Sequence, residues 1–62
     1  MNLEIKINLD NDTFHRYPKT EITSIICGAL DNMPTNSELK ENGWLMFLKD
    51  SNGNSVGKFI IK

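Results

Sequence analysis

A predicted β-hairpin in the last third of the chain constrains the fold more than any other feature. Two apolar, β-rich segments, 44–48 and 56–61, flank a polar segment that contains Asn52-Gly53. Asn-Gly between two such segments is the strongest short-range hairpin signal, because both residues adopt positive φ at low cost. We therefore predict a hairpin within residues 43–62. The rest of the chain must then cover at least one of its faces.

The length of the hairpin loop leaves two strand registers open. A two-residue turn places Met46 opposite Phe59, whereas a three-residue loop over residues 51–53 places Leu45 opposite Phe59. The difference matters because a shift of one residue exchanges the two faces of a strand. We favour the longer loop, in which a left-handed glycine forms a bulge and Asp50 caps the turn.

Both faces of the first hairpin strand are apolar in either register. A sheet with one face in water normally alternates apolar and polar residues, and this strand does not. A single helix can cover only one face, so the other is either covered by a loop or used to bind a partner or a second copy of the chain. That face carries either Trp44 and Met46 or Leu45 and Phe47. The first pair, together with Leu48, forms our candidate interaction site.

The length of 62 residues predicts one small domain over residues 1–62. Domains this small usually need a disulfide, a metal or oligomerisation for stability. The single Cys27 excludes an internal disulfide, and one histidine with one cysteine is too few ligands for a structural zinc site. We therefore expect a homo-oligomer, specifically a dimer, with no metal and no cofactor.

The charge distribution argues against nucleic acid and membranes as partners. The formal net charge is −1, and the lysines and arginine are scattered instead of forming a basic patch. The longest apolar run, 44–48, is far shorter than the roughly 20 residues that span a bilayer. The N-terminus has charges within its apolar pattern and no hydrophobic signal region. We expect a cytoplasmic protein.

Two further elements complete a predicted α+β fold with the order β-α-β-β. Alternating apolar residues from Leu3 to Leu9 predict a half-buried strand. An amphipathic helix is predicted from about Pro18 to Asn32, with apolar residues at helical spacing: Ile22, Ile25, Ile26, Ala29, Leu30 and Met33. We predict a three-stranded sheet with this helix on one face. The first strand lies either parallel beside the second or antiparallel beside the third.

The connecting segments carry two weaker candidates. The acidic residues 10–13 are typical of a turn, and a cation site there lacks a second cluster of oxygen ligands. Phe14 is expected to pack at the end of the sheet. His15, Arg16 and Tyr17 form either a solvated loop or the lip of a site for an anionic or planar ligand. Residues 34–43 are predicted to be a polar return loop anchored by Leu39.

The predicted outer side of the helix has short side chains. Ser24 and Gly28 are four residues apart, a spacing that allows another backbone to approach closely, although a short solvated helix explains them too. Cys27 lies beside this row. Its only potential general base, His15, is in a distant loop, so Cys27 is interpreted as a small packing residue and not a nucleophile.

Three segments resemble a group of very short phage and prophage proteins. They are the acidic turn ending in phenylalanine (9–14), the amphipathic helix (22–30) and the closing Asp-x-Asn-Gly-Asn-x-Val-Gly hairpin (48–59). The chain departs from that group in the long segment 34–42 and in the apolar residues 44–47. The resemblance implies a phage setting and transfers no catalytic residue.

The sequence therefore favours a non-enzymatic phage-type accessory protein that binds a host protein, for example as an inhibitor of a bacterial defence system such as CRISPR. The alternative is a homo-oligomer that sequesters a nucleotide-like signal. In that case His15, Arg16, Tyr17 and Lys58 supply contacts, and the amides around Asn52-Gly53-Asn54 receive an anion. No catalytic residues are predicted, because no nucleophile or base has an orienting partner.

Overall fold

The computed structural model describes all residues, Met1–Lys62, as two strand regions separated by three helices. Strand β1 spans Leu3–Ile7. Helices α1, α2 and α3 span Thr13–Arg16, Pro18–Asp31 and Asn36–Asn42, and strands β2 and β3 span Trp44–Lys49 and Ser55–Ile61. The predicted small α+β domain with a three-stranded sheet is confirmed.

The sheet has the order β1-β3-β2, with both pairs antiparallel. Of the two placements considered for the first strand, the antiparallel one beside the third strand is therefore found. Leu3 lies opposite Ile61 and Ile5 opposite Phe59. Gly57 allows this approach, because a Cβ atom there would overlap the carbonyl oxygen of Lys6.

The hairpin loop has the predicted three-residue form. The Asp50 amide donates to the Asn54 carbonyl at 3.0 Å, and the Gly53 amide donates to the Asp50 carbonyl at 3.0 Å. Gly53 has φ 84°, a left-handed value that favours glycine. The prediction of the loop is confirmed, including the capping role of Asp50.

The strand register that we inferred from this loop is wrong, because β3 contains a second irregularity. Lys49 pairs with Ser55 and Leu48 with Gly57, which leaves Val56 as an extra residue in a β-bulge. Beyond the bulge, Met46 instead of Leu45 lies opposite Phe59. A bulge depends on how the two strands pack, and nothing in the local sequence marked its position.

The core lies between α2 and one face of the sheet, which we call the inner face. Helix α2 contributes Ile25 and Ala29, and the Trp44 ring meets the Phe59 ring edge-on at a centroid distance of 5.5 Å. The predicted helix is confirmed, and Phe14, predicted to pack on the sheet, is buried in the core. The buried apolar residues are Phe14, Ile25, Ala29, Leu48, Val56, Phe59 and Ile61.

Helix α3 replaces most of the return loop that we predicted for residues 34–43. The Thr35 side chain accepts a hydrogen bond from the Glu38 amide at 3.4 Å and so caps the helix. Gly43 ends it with φ 66°, where a Cβ atom would also overlap the Ile61 carbonyl. Threonine followed three residues later by glutamate is a capping-box signature, so the sequence did carry a signal for this helix. Leu39 is half-buried against the core, as expected of an anchor.

Helix α1 occupies most of the segment that we interpreted as a loop before α2. It is short, and its residues pack against α2. Helix α2 then begins at Pro18, which is favoured at the first helical position because its missing N–H costs nothing there. The Asn32 side chain closes α2 by donating to the Gly28 carbonyl at 2.8 Å.

Candidate functional site

The outer face is the sheet face opposite α2, and no element of the chain covers it. Alternation along the strands places seven side chains on it: Glu4, Lys6, Leu45, Phe47, Lys49, Lys58 and Ile60. Leu45 and Phe47 are 52% and 59% exposed. Ile60 lies directly opposite Leu45 and is half-buried. These three apolar side chains form the exposed apolar centre of the face.

Lysines surround this apolar centre. Lys58 lies opposite Phe47, and its Nζ atom is 5.9 Å from the centroid of the Phe47 ring, a distance at which a cation is attracted to the ring. Lys6 lies on the other side of Lys58, and Lys49 is two residues beyond Phe47. With Glu4 as its one acid, the outer face is locally positive although the whole chain has a formal charge of −1.

The structure corrects our assignment of the uncovered face. Trp44, Met46 and Leu48 lie on the inner face, where Leu48 is 1% exposed and the other two are half-buried against the core. Both faces of β2 are apolar, so its sequence could not decide which one the helix covers. Leu45 and Phe47, the alternative pair, are the side chains left exposed.

A shallow groove of about 360 Å³ runs between α2 and β2 and meets the outer face at its rim. Ser24 is exposed and Gly28 half-buried along it, and a Cβ atom added at Gly28 would touch nothing within 4 Å. Phe47 and Lys49 form the opposite wall. The structure therefore leaves the predicted approach surface at Ser24 and Gly28 open to another molecule.

Asp50 lies at the centre of a polar cluster that joins the two turns of the chain. One carboxylate oxygen, Oδ1, accepts hydrogen bonds from the amides of Asn52 and Asn54, each at 2.9 Å. The other, Oδ2, accepts from the side chains of Asn11 at 2.8 Å and Thr13 at 3.2 Å. The acidic segment before α1 and the hairpin loop are thus one tertiary unit.

These hydrogen bonds determine the charge state of Asp50. Burial of the carboxylate opposes its ionisation, but hydrogen bonds from Asn54, Asn11 and the Asn52 amide outweigh that effect and lower the pKa of Asp50 below its ordinary value. The carboxylate is therefore charged at neutral pH and neutralised by donors of its own chain. Its role is structural.

The anion site that we considered at the hairpin loop is already occupied by the chain. The amides of Asn52 and Asn54 donate to the Asp50 carboxylate, and the Gly53 amide donates to the Asp50 carbonyl. Lys58, the fourth residue of that alternative, lies on the outer face over Phe47. The loop therefore has no free amides for an anionic ligand.

The candidate ligand lip is fully at the surface. His15 and Arg16 end α1, Tyr17 joins it to α2, and all three are exposed. None of the surface cavities is lined by them. Of the three, only His15 lies near a charged side chain: its Nδ1 atom is 3.8 Å from Asp12 Oδ1.

The remaining side chains that could take part in catalysis or bind a metal do not cluster. Cys27 is exposed, which corrects our interpretation of it as a packing residue. No three side chains of histidine, cysteine, aspartate or glutamate come together as a potential metal site. None of the helices has both the length and the apolar character needed to cross a bilayer.

Comparison of the chain with protein families, characterised proteins and solved structures found no match. The function of the chain is therefore inferred from its geometry. Its most distinctive surface is the uncovered apolar centre at Leu45 and Phe47 with its surrounding lysines. Lys49, two residues beyond Phe47 along its own strand, is visible in the sequence, but the position of Lys58 opposite Phe47 depends on the register that the bulge sets.

Proposed function

We propose that this protein acts without catalysis, by binding another protein through its outer face. The observation that carries the proposal is the exposure of Leu45 and Phe47 at the centre of a sheet face that the fold leaves uncovered. Large aromatic and aliphatic side chains that are pre-positioned on a strand bind partners with little loss of side-chain entropy. Exposed apolar patches rimmed by polar residues are typical of interaction sites.

The charges of the outer face specify the chemistry of the partner. Lys6, Lys49 and Lys58 surround the apolar centre, so a complementary surface has an apolar pocket bordered by carboxylates. Such complementarity accelerates association and excludes basic partners. The groove beside Gly28 extends the contact area around the edge of β2.

The resemblance to short phage proteins supplies the biological setting of this proposal. In that setting the partner is a host protein of a bacterial defence system, such as a CRISPR component, and the protein acts in the host cytoplasm. The two segments that carry the resemblance most clearly, the acidic turn and the hairpin loop, meet at Asp50. They support the outer face without contributing side chains to it.

The test is a plaque assay in bacteria that carry single defence systems and express the chain. We expect the chain to raise phage plating on strains with the targeted system. Phe47→Glu and Leu45→Glu should abolish the effect, because a carboxylate there opposes an acidic partner. Leu30→Glu is the matched control, since Leu30 is also 52% exposed but lies on α2.

A defence component should co-purify with the wild-type chain and with Leu30→Glu, but not with Phe47→Glu. Circular dichroism confirms that each variant is folded. The proposal is wrong if Phe47→Glu protects phages as well as the wild type does, or if the chain changes plating on no strain of a broad panel.

A further inference from the structure

We propose that two copies of this chain associate through their β1 strands and form a symmetric dimer with one continuous sheet. The proposal does not rest on the function proposed above, because the free edge of β1 and the apolar centre on β2 and β3 are different surfaces. Glu4 and Lys6 are the side chains that the two surfaces share. It also differs from our first expectation, in which the dimer used the uncovered sheet face.

Strand β1 has a free hydrogen-bonding edge. The amides of Asn2 and Asn8 donate to β3 and its flank, to the carbonyls of Lys62 at 2.6 Å and Val56 at 2.7 Å. Hydrogen-bonding groups alternate between the two sides of a strand, so the odd-numbered residues from Leu3 to Ile7 direct their N–H and C=O groups away from β3. This unpaired row is a template for another strand.

Strand β1 is also complementary to itself about Ile5. In an antiparallel pair centred there, Glu4 lies opposite Lys6 of the second copy, and Lys6 lies opposite Glu4 of that copy. On the other face, Leu3 lies opposite Ile7 and the two Ile5 side chains are neighbours. Opposite charges and apolar pairs directly across two strands are stabilising.

Neighbouring registers are excluded by the same residues. A shift of one residue brings apolar side chains to the charged face. A shift of two residues places either Glu4 opposite Glu4 or Lys6 opposite Lys6, and like charges in that position repel. The pairing centred on Ile5 is therefore the one that satisfies both faces, and its two-fold symmetry closes the assembly at two copies.

A single chain leaves the charges of Glu4 and Lys6 without partners. Neither Glu4 nor Lys6 has a side chain of opposite charge within 4 Å, since the one such contact in the chain lies between His15 and Asp12. Lys6 lies directly opposite Lys58, a like-charge pair that destabilises the isolated sheet. Glu4 of a second copy, placed beside Lys6, offsets this repulsion.

The exposed area of the chain is larger than expected for a monomer. The chain exposes 4687 Å², whereas a monomer of its mass is expected to expose about 4,100 Å². The excess is comparable to the roughly 800 Å² that each partner buries in a standard interface. Leu3 and Ile5 contribute to it, since they are 57% and 40% exposed although they lie beside the core residues Ile61 and Phe59 on the inner face.

The test is sedimentation velocity of the full chain over a concentration range that reaches the millimolar. We expect a reversible dimer. Glu4→Lys turns both Glu4–Lys6 pairs between the two copies into lysine pairs and should raise the dimer Kd about tenfold or more. Lys6→Glu turns them into glutamate pairs and should raise the Kd by a similar factor. The double variant Glu4→Lys/Lys6→Glu restores opposite charges and should recover most of the affinity. Circular dichroism checks that each variant is folded.

Cross-linking tests the register separately. Ile5→Cys in a Cys27→Ser background places two thiols on strands whose Cα atoms are about 5.5 Å apart, within reach of a disulfide. Asn2→Cys in the same background is the control, because its two copies would be about 20 Å apart. The Ile5 variant should form a covalent dimer on mild oxidation, and the Asn2 variant should not.

Three results would overturn the proposal. The first is that the protein contains one copy of the chain at every concentration, whether it is free or bound to a different protein. The second is a double charge swap that dimerises no better than the single variants. The third is equal cross-linking of the Ile5 and Asn2 variants.

Discussion

The Asp50 carboxylate accepts a hydrogen bond from the Asn11 side chain at 2.8 Å, although 39 positions separate the two residues. Each residue belongs to a polar turn that is explained locally by turn chemistry. The contact shows that the two turns are halves of one clamp. It attaches the hairpin loop to the segment before α1, and the Glu21 side chain strengthens the attachment by accepting from the Ser51 amide at 2.8 Å.

Asp50→Asn should destabilise the fold more than any substitution of one of its donors. The variant replaces an acceptor of five hydrogen bonds by an amide whose NH2 group faces the donor of Asn11. We expect a lower Tm at neutral pH. Asp10→Asn is the matched control, since Asp10 is exposed and its side chain makes no hydrogen bond. Similar Tm values for the two variants would contradict the clamp.

The stability of the fold should fall in acid because of Asp50. Its pKa is lowered in the folded state. The stabilisation is therefore fully present above the unfolded value of about 3.9 and is lost as the pH falls through the folded pKa. Thermal unfolding followed between neutral pH and strong acid should show this decline. The Asp50→Asn variant should lack the part of the decline that is due to Asp50. An identical pH dependence of Tm in the wild type and the variant would contradict the lowered pKa of Asp50.

Gly57→Ala should be strongly destabilising. A Cβ atom there would overlap the Lys6 carbonyl oxygen, so β1 must move away from β3. Overpacking of this kind typically costs about 1–3 kcal/mol. That is a large share of the roughly 3–9 kcal/mol expected for a domain of this length. Chemical denaturation measures the loss, and a loss no larger than that of an exposed substitution would argue against the close approach of β1.

Gly28→Ala should instead stabilise the isolated protein by up to about 1 kcal/mol, because alanine is the better helix former and nothing obstructs its Cβ atom. Chemical denaturation measures the change. The same variant tests the groove beside Ser24. A stabilised chain that no longer binds its partner would show that the partner approaches the helix backbone there.

The neighbours Leu48 and Phe47 should respond to truncation in opposite ways. Leu48→Ala removes a side chain that is fully buried on the inner face and should cost about 2–5 kcal/mol. Phe47→Ala removes an exposed side chain, so it should change the stability by much less and reduce partner binding instead. Unfolding curves of the two variants give the answer. A larger loss for Phe47 would mean that the two faces are exchanged.

The local sequence predicted most elements, because it carries the signals that create them. The alternation from Leu3 to Leu9 predicted β1, the helical spacing after Pro18 predicted α2, and Asn52-Gly53 predicted the hairpin loop. Helix α3 was also predictable from the cap at Thr35 and Glu38, although we interpreted that segment as a loop. These features depend on backbone preferences and hydrogen bonds within a few residues.

The candidate site was predicted less well, since its position depends on packing. The sequence showed that one face of β2 would remain uncovered, but it favoured Trp44, Met46 and Leu48 over Leu45 and Phe47. Both sets are apolar, so the choice followed from where α2 lies and from the bulge at Val56. The row of small side chains at Ser24 and Gly28 is visible in the sequence, but the groove that it forms with β2 is not, because it depends on where α2 lies on the sheet.

By itself, the sequence determined the α+β class, the boundaries of the main helix, the presence of a hairpin at Asn52-Gly53 and the apolar surplus on β2. Only the tertiary structure decided the strand order, the register, the uncovered face and the joining of the two turns at Asp50. The physical reason is the distance along the chain over which each kind of interaction acts. Turns, caps and amphipathic patterns depend on residues that are near neighbours in the chain. Strand pairing and burial depend on contacts between residues that are distant in sequence.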